Sequence, residues 1–164
     1  MQPEFLRAEN GHDPYWDFTH PWFIVIGEHD ARAGDILEEL YQPFAAPIAR
    51  VDIKTAEMIK YMHNLFNATK ISFFNEMHSI EEELGIDSDL VHGIVAKTAE
   101  GMWSPEYGIK GGYPYRGGCL PKDTVAFFNF AQEHGLCETP LLRAAMEVNN
   151  RLLRQEERPA ISGG

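Results

Sequence analysis

The stretch KTAEMIKYMHNLFNATKISFFNEMHSIEEEL, residues 54–84, runs without a proline or a glycine. Its apolar residues fall at Met58, Ile59, Met62, Leu65, Phe66, Phe73, Phe74, Met77, Ile80 and Leu84. Recurrence at three and four residues is the signature of a helix with an apolar face. The spacing predicts one helix, roughly 45 Å long at about 1.5 Å per residue, stopped by Gly85 in the left-handed position that ends helices. Such a helix exceeds the usual globular length, and its broad apolar face is more than one small domain needs to cover. Exposed apolar faces of that size mark subunit interfaces, so a homodimer through the long helix is expected.

Downstream, Asp87-Ser88-Asp89 caps a shorter helix running to about residue 98, with Leu90, Val91, Ile94 and Val95 on its buried side. Residues 100–118 read as a loop. Pro121 suits the first turn of a helix that runs to about residue 134 and stops at Gly135. Thr139 and Pro140 form an N-cap and first-turn pair for a last helix reaching about residue 154, and a loose tail is expected from Arg158 onward.

Upstream, residues 5–22 carry Gly11, Pro14 and Pro21 with no sustained period and read as irregular. Residues 22–27 form a short apolar run closed by Gly27, the pattern of a buried strand. Residues 30–41 have Ala33, Ile36, Leu37 and Leu40 at helical spacing, with Asp30 or His29 as cap and Pro43 as stop. Residues 47–51 read as a second strand. Strand, helix, strand is half of a βαβ pattern, yet a parallel sheet needs more strands. Both ends of the chain read as cut points in a longer sequence.

Composition narrows the function. At 164 residues and 44% hydrophobic residues the chain can build a real core. A formal net charge of -11 argues against a nucleic-acid surface and favours a small-molecule or protein partner. Two cysteines, Cys119 and Cys137, are too few for a disulfide framework, although they could pair, and a reducing cytoplasm is the natural setting. Neither a signal peptide nor an apolar run of about 18 residues is present, so no membrane span is expected. Seven histidines are scattered without ligand spacing, so no metal is expected. No G-x-G-x-x-G phosphate fingerprint occurs.

Chemistry points to GGYPYRGGCLPKD, residues 111–123. Its glycines permit positive φ and close approach of backbone to a ligand. Cys119 would sit at a helix N-terminus, where the helix end and Lys122 favour thiolate over thiol. Taken alone, it reads more readily as a small buried cysteine in an ordinary turn. Lys60 and Asn64 stand four apart on the long helix and so share a face. They could bind a sugar hydroxyl or stabilise an oxyanion, or be a solvated lysine with a polar neighbour. Asp123 could orient a water or simply be a first-turn acid.

Together, residues 3–7 (PEFLR), 25–28 (VIGE), 55–61 (TAEMIKY) with Asn64, the pair Asn75-Glu76, and residues 117–123 (GGCLPKD) resemble the UDP-glucose/GDP-mannose dehydrogenase family over nearly the whole chain. The resemblance implies a mainly α fold. An all-helical central domain, 6-phosphogluconate dehydrogenase C-terminal-like, is built on the long helix and follows a small α/β remnant of a Rossmann domain. Residues 1–51 would end the NAD-binding domain, 52–158 would form the helical dimerisation domain and 159–164 a tail. It further implies NAD-dependent oxidation of a nucleotide-sugar C6 alcohol to the carboxylate, with NAD bound mainly by a domain absent from this chain.

Within that resemblance Cys119 would be the nucleophile and Lys60 would stabilise the oxyanion. Asn64 and Asp123 would position water or alcohol, and Glu4 would assist proton traffic. Lys122 would lie near the cofactor. Backbone at Phe5 and Leu6 and the loop containing Gly112 and Gly117 would contact the sugar nucleotide. Three positions depart from the family pattern: Arg116 replaces a usual glycine, Ala8 a glutamate with Glu9 one place late, and Trp103 an arginine that some UDP-glucose enzymes reach across the dimer. The spacing from Tyr107 to Cys119, with Lys110, is closer to the GDP-mannose branch. Two other readings are a non-catalytic helical dimerisation module and a β-hydroxyacid dehydrogenase relative; the latter shares the lysine–asparagine pair but needs no thiol.

Overall fold

A computed structural model of the chain describes residues 1–7 and 13–156. The expectations resting on Ala8 and Glu9, and on the tail at 159–164, lie outside the described residues. The fold is mainly helical with one two-stranded parallel sheet, and the chain divides into two compact units, residues 1–69 and residue 70 onward.

In the first unit, β1 (Ile24–Glu28) pairs in parallel with β2 (Ile48–Asp52), Ile24 opposite Ile48 and Glu28 opposite Asp52. The helix α2 (Ala31–Tyr41), capped by Asp30, makes the crossover. A 3-10 turn over Gln42–Phe44, containing Pro43, follows it. Ile24, Val25 and Ile26 are buried, as expected for an apolar run without alternation. The free edge of β1 is occupied by Met1, whose amino group donates to the Gly27 carbonyl at 2.6 Å and whose carbonyl accepts from the Gly27 amide at 2.7 Å. Gly27 is required there, since a Cβ would lie 2.6 Å from the Ala56 Cβ. Arg50 ties the layers together by donating to Glu28 at 2.8 Å, Asp35 at 2.7 Å and Glu38 at 3.0 Å. These carboxylates, Asp35 foremost, push its guanidinium pKa further up.

One part of the irregular expectation for residues 5–22 is corrected. A short helix, α1 (Pro14–Thr19), forms there, with the Asp13 side chain accepting from the Tyr15 amide at 2.9 Å and proline in the first turn. Six residues are too few for a period to show. Its Asp17 is buried and accepts from the Arg7 amide at 2.8 Å and guanidinium at 2.7 Å, fixing the N-terminal segment.

The long helix α3 (Ile53–Leu84) starts where the Asp52 carboxylate accepts from the Thr55 amide at 3.1 Å and its hydroxyl at 2.5 Å. It ends as expected at Gly85, φ 68°. Within the first unit its Met58, Tyr61, Met62, Leu65 and Phe66 are all exposed. Among the described residues no helix is long and apolar enough to cross a membrane.

Among the described residues the second unit contains the later turns of α3 and four more helices: α4 (Ser88–Thr98), α5 (Glu100–Trp103), α6 (Leu120–Glu133) and α7 (Pro140–Glu156). Asp87 caps α4 through the Leu90 amide, and Gly135 ends α6 with φ 63°. The single turn α5 lies in the stretch expected to be all loop, again too short for a periodic signal. The start of α7 also differs from expectation. The Thr139 side chain is fully buried with no hydrogen-bond partner for its hydroxyl, and Glu76 of α3 accepts from the Leu141 and Leu142 amides instead.

Candidate functional site

In the second unit, the segment between α5 and α6 turns on glycines. Gly108, Gly112 and Gly117 have φ of 74°, 87° and 93°, the left-handed region that residues with a Cβ rarely enter. Pro114 is buried, and the Tyr115 amide donates at 2.7 Å to Oδ1 of Asn149, a buried side chain on α7. The Lys110 ammonium lies 5.4 Å from the centre of the Tyr113 ring. Arg116 forms an ion pair with Glu156 at the end of α7. Arg116 is thereby drawn to α7.

Cys119 follows as the N-cap of α6, exposed, with its carbonyl accepting from the Asp123 amide at 2.8 Å. Pro121 occupies the first turn, so the helix begins directly after the thiol. Lys122 and Asp123 are both exposed and form an ion pair beside it. Cys119 and Cys137 are both free thiols. Cys137 is partly shielded, and burial, then the negative charges of Glu83 and Glu76, push its thiol pKa up. The two cysteines are therefore chemically distinct: one stands open at a helix start, the other is held as a thiol.

In the first unit, the Lys60 ammonium donates to the Glu4 carbonyl and stands 5.4 Å from the Phe5 ring centre. Phe5 also meets the His63 ring at 4.9 Å. Asn64 follows one helical turn after Lys60 and is exposed, as is Glu4. Glu4, Phe5 and Leu6 line a small pocket with Asp17, Trp22 and Tyr41. The structure thus brings Glu4, Phe5 and Lys60 together, with Asn64 on the same helix face. In the second unit it gathers Gly117, Cys119, Lys122 and Asp123 at the start of α6, with Gly112 five residues before Gly117 in the loop.

Sequence reasoning passed over Asn149, Asp17 and the capping role of Glu76. Asn149 did leave a signal: it interrupts the run Leu142, Ala145, Met146, Leu152 and Leu153 on α7, and a polar residue at an apolar position usually has a buried partner. Asp17 sits in a segment without any period and had none.

A family model for the central domain of the UDP-glucose/GDP-mannose dehydrogenase family matches residues 54–151. The chain belongs to this family. It is 38% identical to GDP-mannose 6-dehydrogenase of Pseudomonas savastanoi pv. phaseolicola over 149 residues, 91% of this chain and 33% of that protein. It is 42% identical to UDP-glucose 6-dehydrogenase YwqF of Bacillus subtilis over 151 residues, 90% of this chain and 32% of that protein. The chain thus spans about a third of the length of the curated relatives it matches. Among solved structures, GDP-mannose dehydrogenase from Pseudomonas aeruginosa, crystallised as a ternary complex, superposes with a TM-score of 0.84 at 35% identity, covering 94% of this chain and 34% of that one. A UDP-glucose dehydrogenase from the archaeon Pyrobaculum islandicum superposes with a TM-score of 0.57 at 36% identity, covering 93% and 34%. The mainly helical fold that the resemblance implies is the fold of the matching third of GDP-mannose dehydrogenase.

Proposed function

We propose that this chain supplies the catalytic thiol of an NAD-dependent nucleotide-sugar 6-dehydrogenase, which oxidises the C6 alcohol of a UDP- or GDP-sugar to the uronate. The observation that carries the reading is Cys119, exposed as the N-cap of α6 two residues after the positive-φ Gly117. A nucleophile of this kind needs access and a ligand brought close along the backbone, and both features serve that need.

NAD, when bound, supplies the hydride acceptor for both oxidations. The residues present fit only its reacting end. Lys122 is exposed three residues past Cys119, whereas the chain carries no G-x-G-x-x-G turn to cradle a pyrophosphate. The cofactor is then held mainly by sequence beyond this chain, in keeping with residues 1–51 as the end of an NAD-binding domain and 52–158 as the helical domain.

Cys119 adds its sulfur to the C6 carbonyl of the aldehyde formed by the first oxidation, giving a thiohemiacetal. Loss of a second hydride from C6, together with the hydroxyl proton, leaves a thioester. Water then attacks the thioester carbonyl, the C–S bond breaks, and the carboxylate leaves with the thiol restored. Covalent capture keeps the aldehyde from escaping between the two oxidations. Lys60 offers a cation for the oxyanion, Asn64 and Asp123 position water or alcohol, and the Glu4 carboxylate moves the proton of hydrolysis. Phe5, Leu6, Gly112 and Gly117 contact the sugar nucleotide.

The exposed apolar stripe Met58, Tyr61, Met62 and Leu65 on α3 supports a homodimer through the long helix. The test of the activity is turnover by the full-length gene product supplied with NAD and either UDP-glucose or GDP-mannose. Carboxylate formation that disappears in a Cys119→Ser variant supports the reading, and wild-type protein inert towards both sugars overturns it.

A further inference from the structure

We infer that Asn149 is a positioning residue for the Cys119 loop, a role that rests on the reading of Cys119 as nucleophile. Its side chain is 5% exposed, on a helix that is otherwise largely amphipathic, and its Oδ1 accepts from the Tyr115 amide at 2.7 Å. Loops at the surface ordinarily satisfy their amides with water. Here a loop amide four residues before the nucleophile is satisfied by a buried carboxamide drawn from the middle of α7.

Ala145, Val148, Asn149 and Leu152 all face the loop across one groove, at the three- and four-residue spacing of a single helix face. Glu156 lies seven residues, about two turns, beyond Asn149 and so on the same face. It takes the guanidinium of Arg116, the residue next to Tyr115. Adjacent loop residues are therefore fastened to α7 at two points along one face. The first fastening is buried and directional. The second is an exposed ion pair, which contributes little by itself.

Between these fastenings and Cys119 lie only Gly117 and Gly118. Two glycines transmit little rigidity, so the placement of the sulfur depends on the last fixed points before them. Those are Tyr115 and Arg116 on the N-terminal side and the α6 helix on the other. Loss of the Asn149 acceptor frees the loop on one side and leaves its part-buried amide without a protein partner. A sulfur displaced by about 1 Å loses on the order of 100-fold in a positioned reaction.

The test compares Asn149→Ala, the milder Asn149→Ser and the conservative Asn149→Asp in the full-length protein, assayed well below each variant's melting temperature. Two readouts are taken: kcat and KM for the nucleotide sugar, and the alkylation rate of Cys119 by iodoacetamide, followed by peptide mass spectrometry. The expected result is a kcat reduced at least about 10-fold in Ala and Ser with KM changed by less than about 3-fold, and Cys119 alkylation shifted by about 3-fold or more. Asp keeps an oxygen at the acceptor position and recovers both readouts towards wild type. Wild-type kcat and alkylation in a folded Ala or Ser variant overturns the proposal, as does an Asp variant as impaired as Ala. The alkylation readout needs no turnover. If the wild-type protein oxidises no nucleotide sugar, the functional reading fails, while the effect of Asn149 on the thiol is decided independently.

Discussion

Glu76 caps Leu141: its carboxylate oxygens accept from the Leu141 amide at 2.7 Å and the Leu142 amide at 3.1 Å. A helix N-terminus leaves its first amides unpartnered, and a negative charge there also opposes the positive end of the helix dipole. The cap therefore comes from the later half of α3, far away in sequence, while the neighbouring Thr139 hydroxyl goes unused. Replacing Glu76 with alanine is expected to lower stability by about 1–3 kcal/mol, the range for losing a cap that makes charged hydrogen bonds. Glutamine keeps one acceptor oxygen and should lose less. Urea unfolding of both variants measures the difference, and equal loss in the two would argue against a hydrogen-bonded cap.

Gly27 marks the closest approach of β1 to α3. A Cβ added there would lie 2.6 Å from the Ala56 Cβ and 3.1 Å from the Met1 carbonyl oxygen. Both neighbours are fixed, one by the helix and the other by hydrogen bonds to Gly27 itself. Gly27→Ala is expected to cost about 1–3 kcal/mol through overpacking, read as a lowered melting temperature. A melting temperature equal to wild type would show that α3 can move away freely.

Asp52 ties stability to pH. Hydrogen bonds from the Thr55 hydroxyl and amide hold its carboxyl below the usual carboxylate range. A carboxylate whose pKa is depressed in the folded state adds stability above the unfolded value and loses it as pH falls through the folded value. The melting-temperature gap between wild type and Asp52→Ala should thus be widest near neutral pH and close under acid conditions. A gap that stays constant from neutral to acid pH would contradict the ionised cap.

The two thiols should react unequally. Cys119 is exposed, whereas burial and the charges of Glu83 and Glu76 keep Cys137 protonated. Thiolate is the reactive form. Near neutral pH, peptide mass spectrometry after iodoacetamide should find Cys119 modified about 10-fold faster or more. Faster labelling of Cys137 would reverse the assignment of the accessible thiol.

Local signals made much of this fold legible. Gly85, Gly135, Asp30 and Asp87 each act within a turn of their own position, and the structure ends or begins a helix at every one. The apolar run of β1 and the period of α3 are likewise local. The one-turn α5 and the six-residue α1 were too short for their period to stand out. The remaining misses are non-local by nature. Glu76 serves an amide 65 residues away and Asn149 one 34 residues away, and nothing near either in sequence names its partner. At the site, Cys119 was visible as a glycine-loop cysteine before a helix. The turn of Arg116 towards Glu156 needed three dimensions, because the pair joins a loop to the far end of another helix.

The central claim is that Cys119 carries the aldehyde stage covalently. Its most direct test is the full-length protein and its Cys119→Ser variant, each given NAD and GDP-mannose or UDP-glucose, with NADH and sugar carboxylate both quantified. The account predicts two NADH per carboxylate for the wild type, and carboxylate formation reduced at least about 100-fold in the variant. A Cys119→Ser protein that makes the carboxylate at the wild-type rate would contradict it.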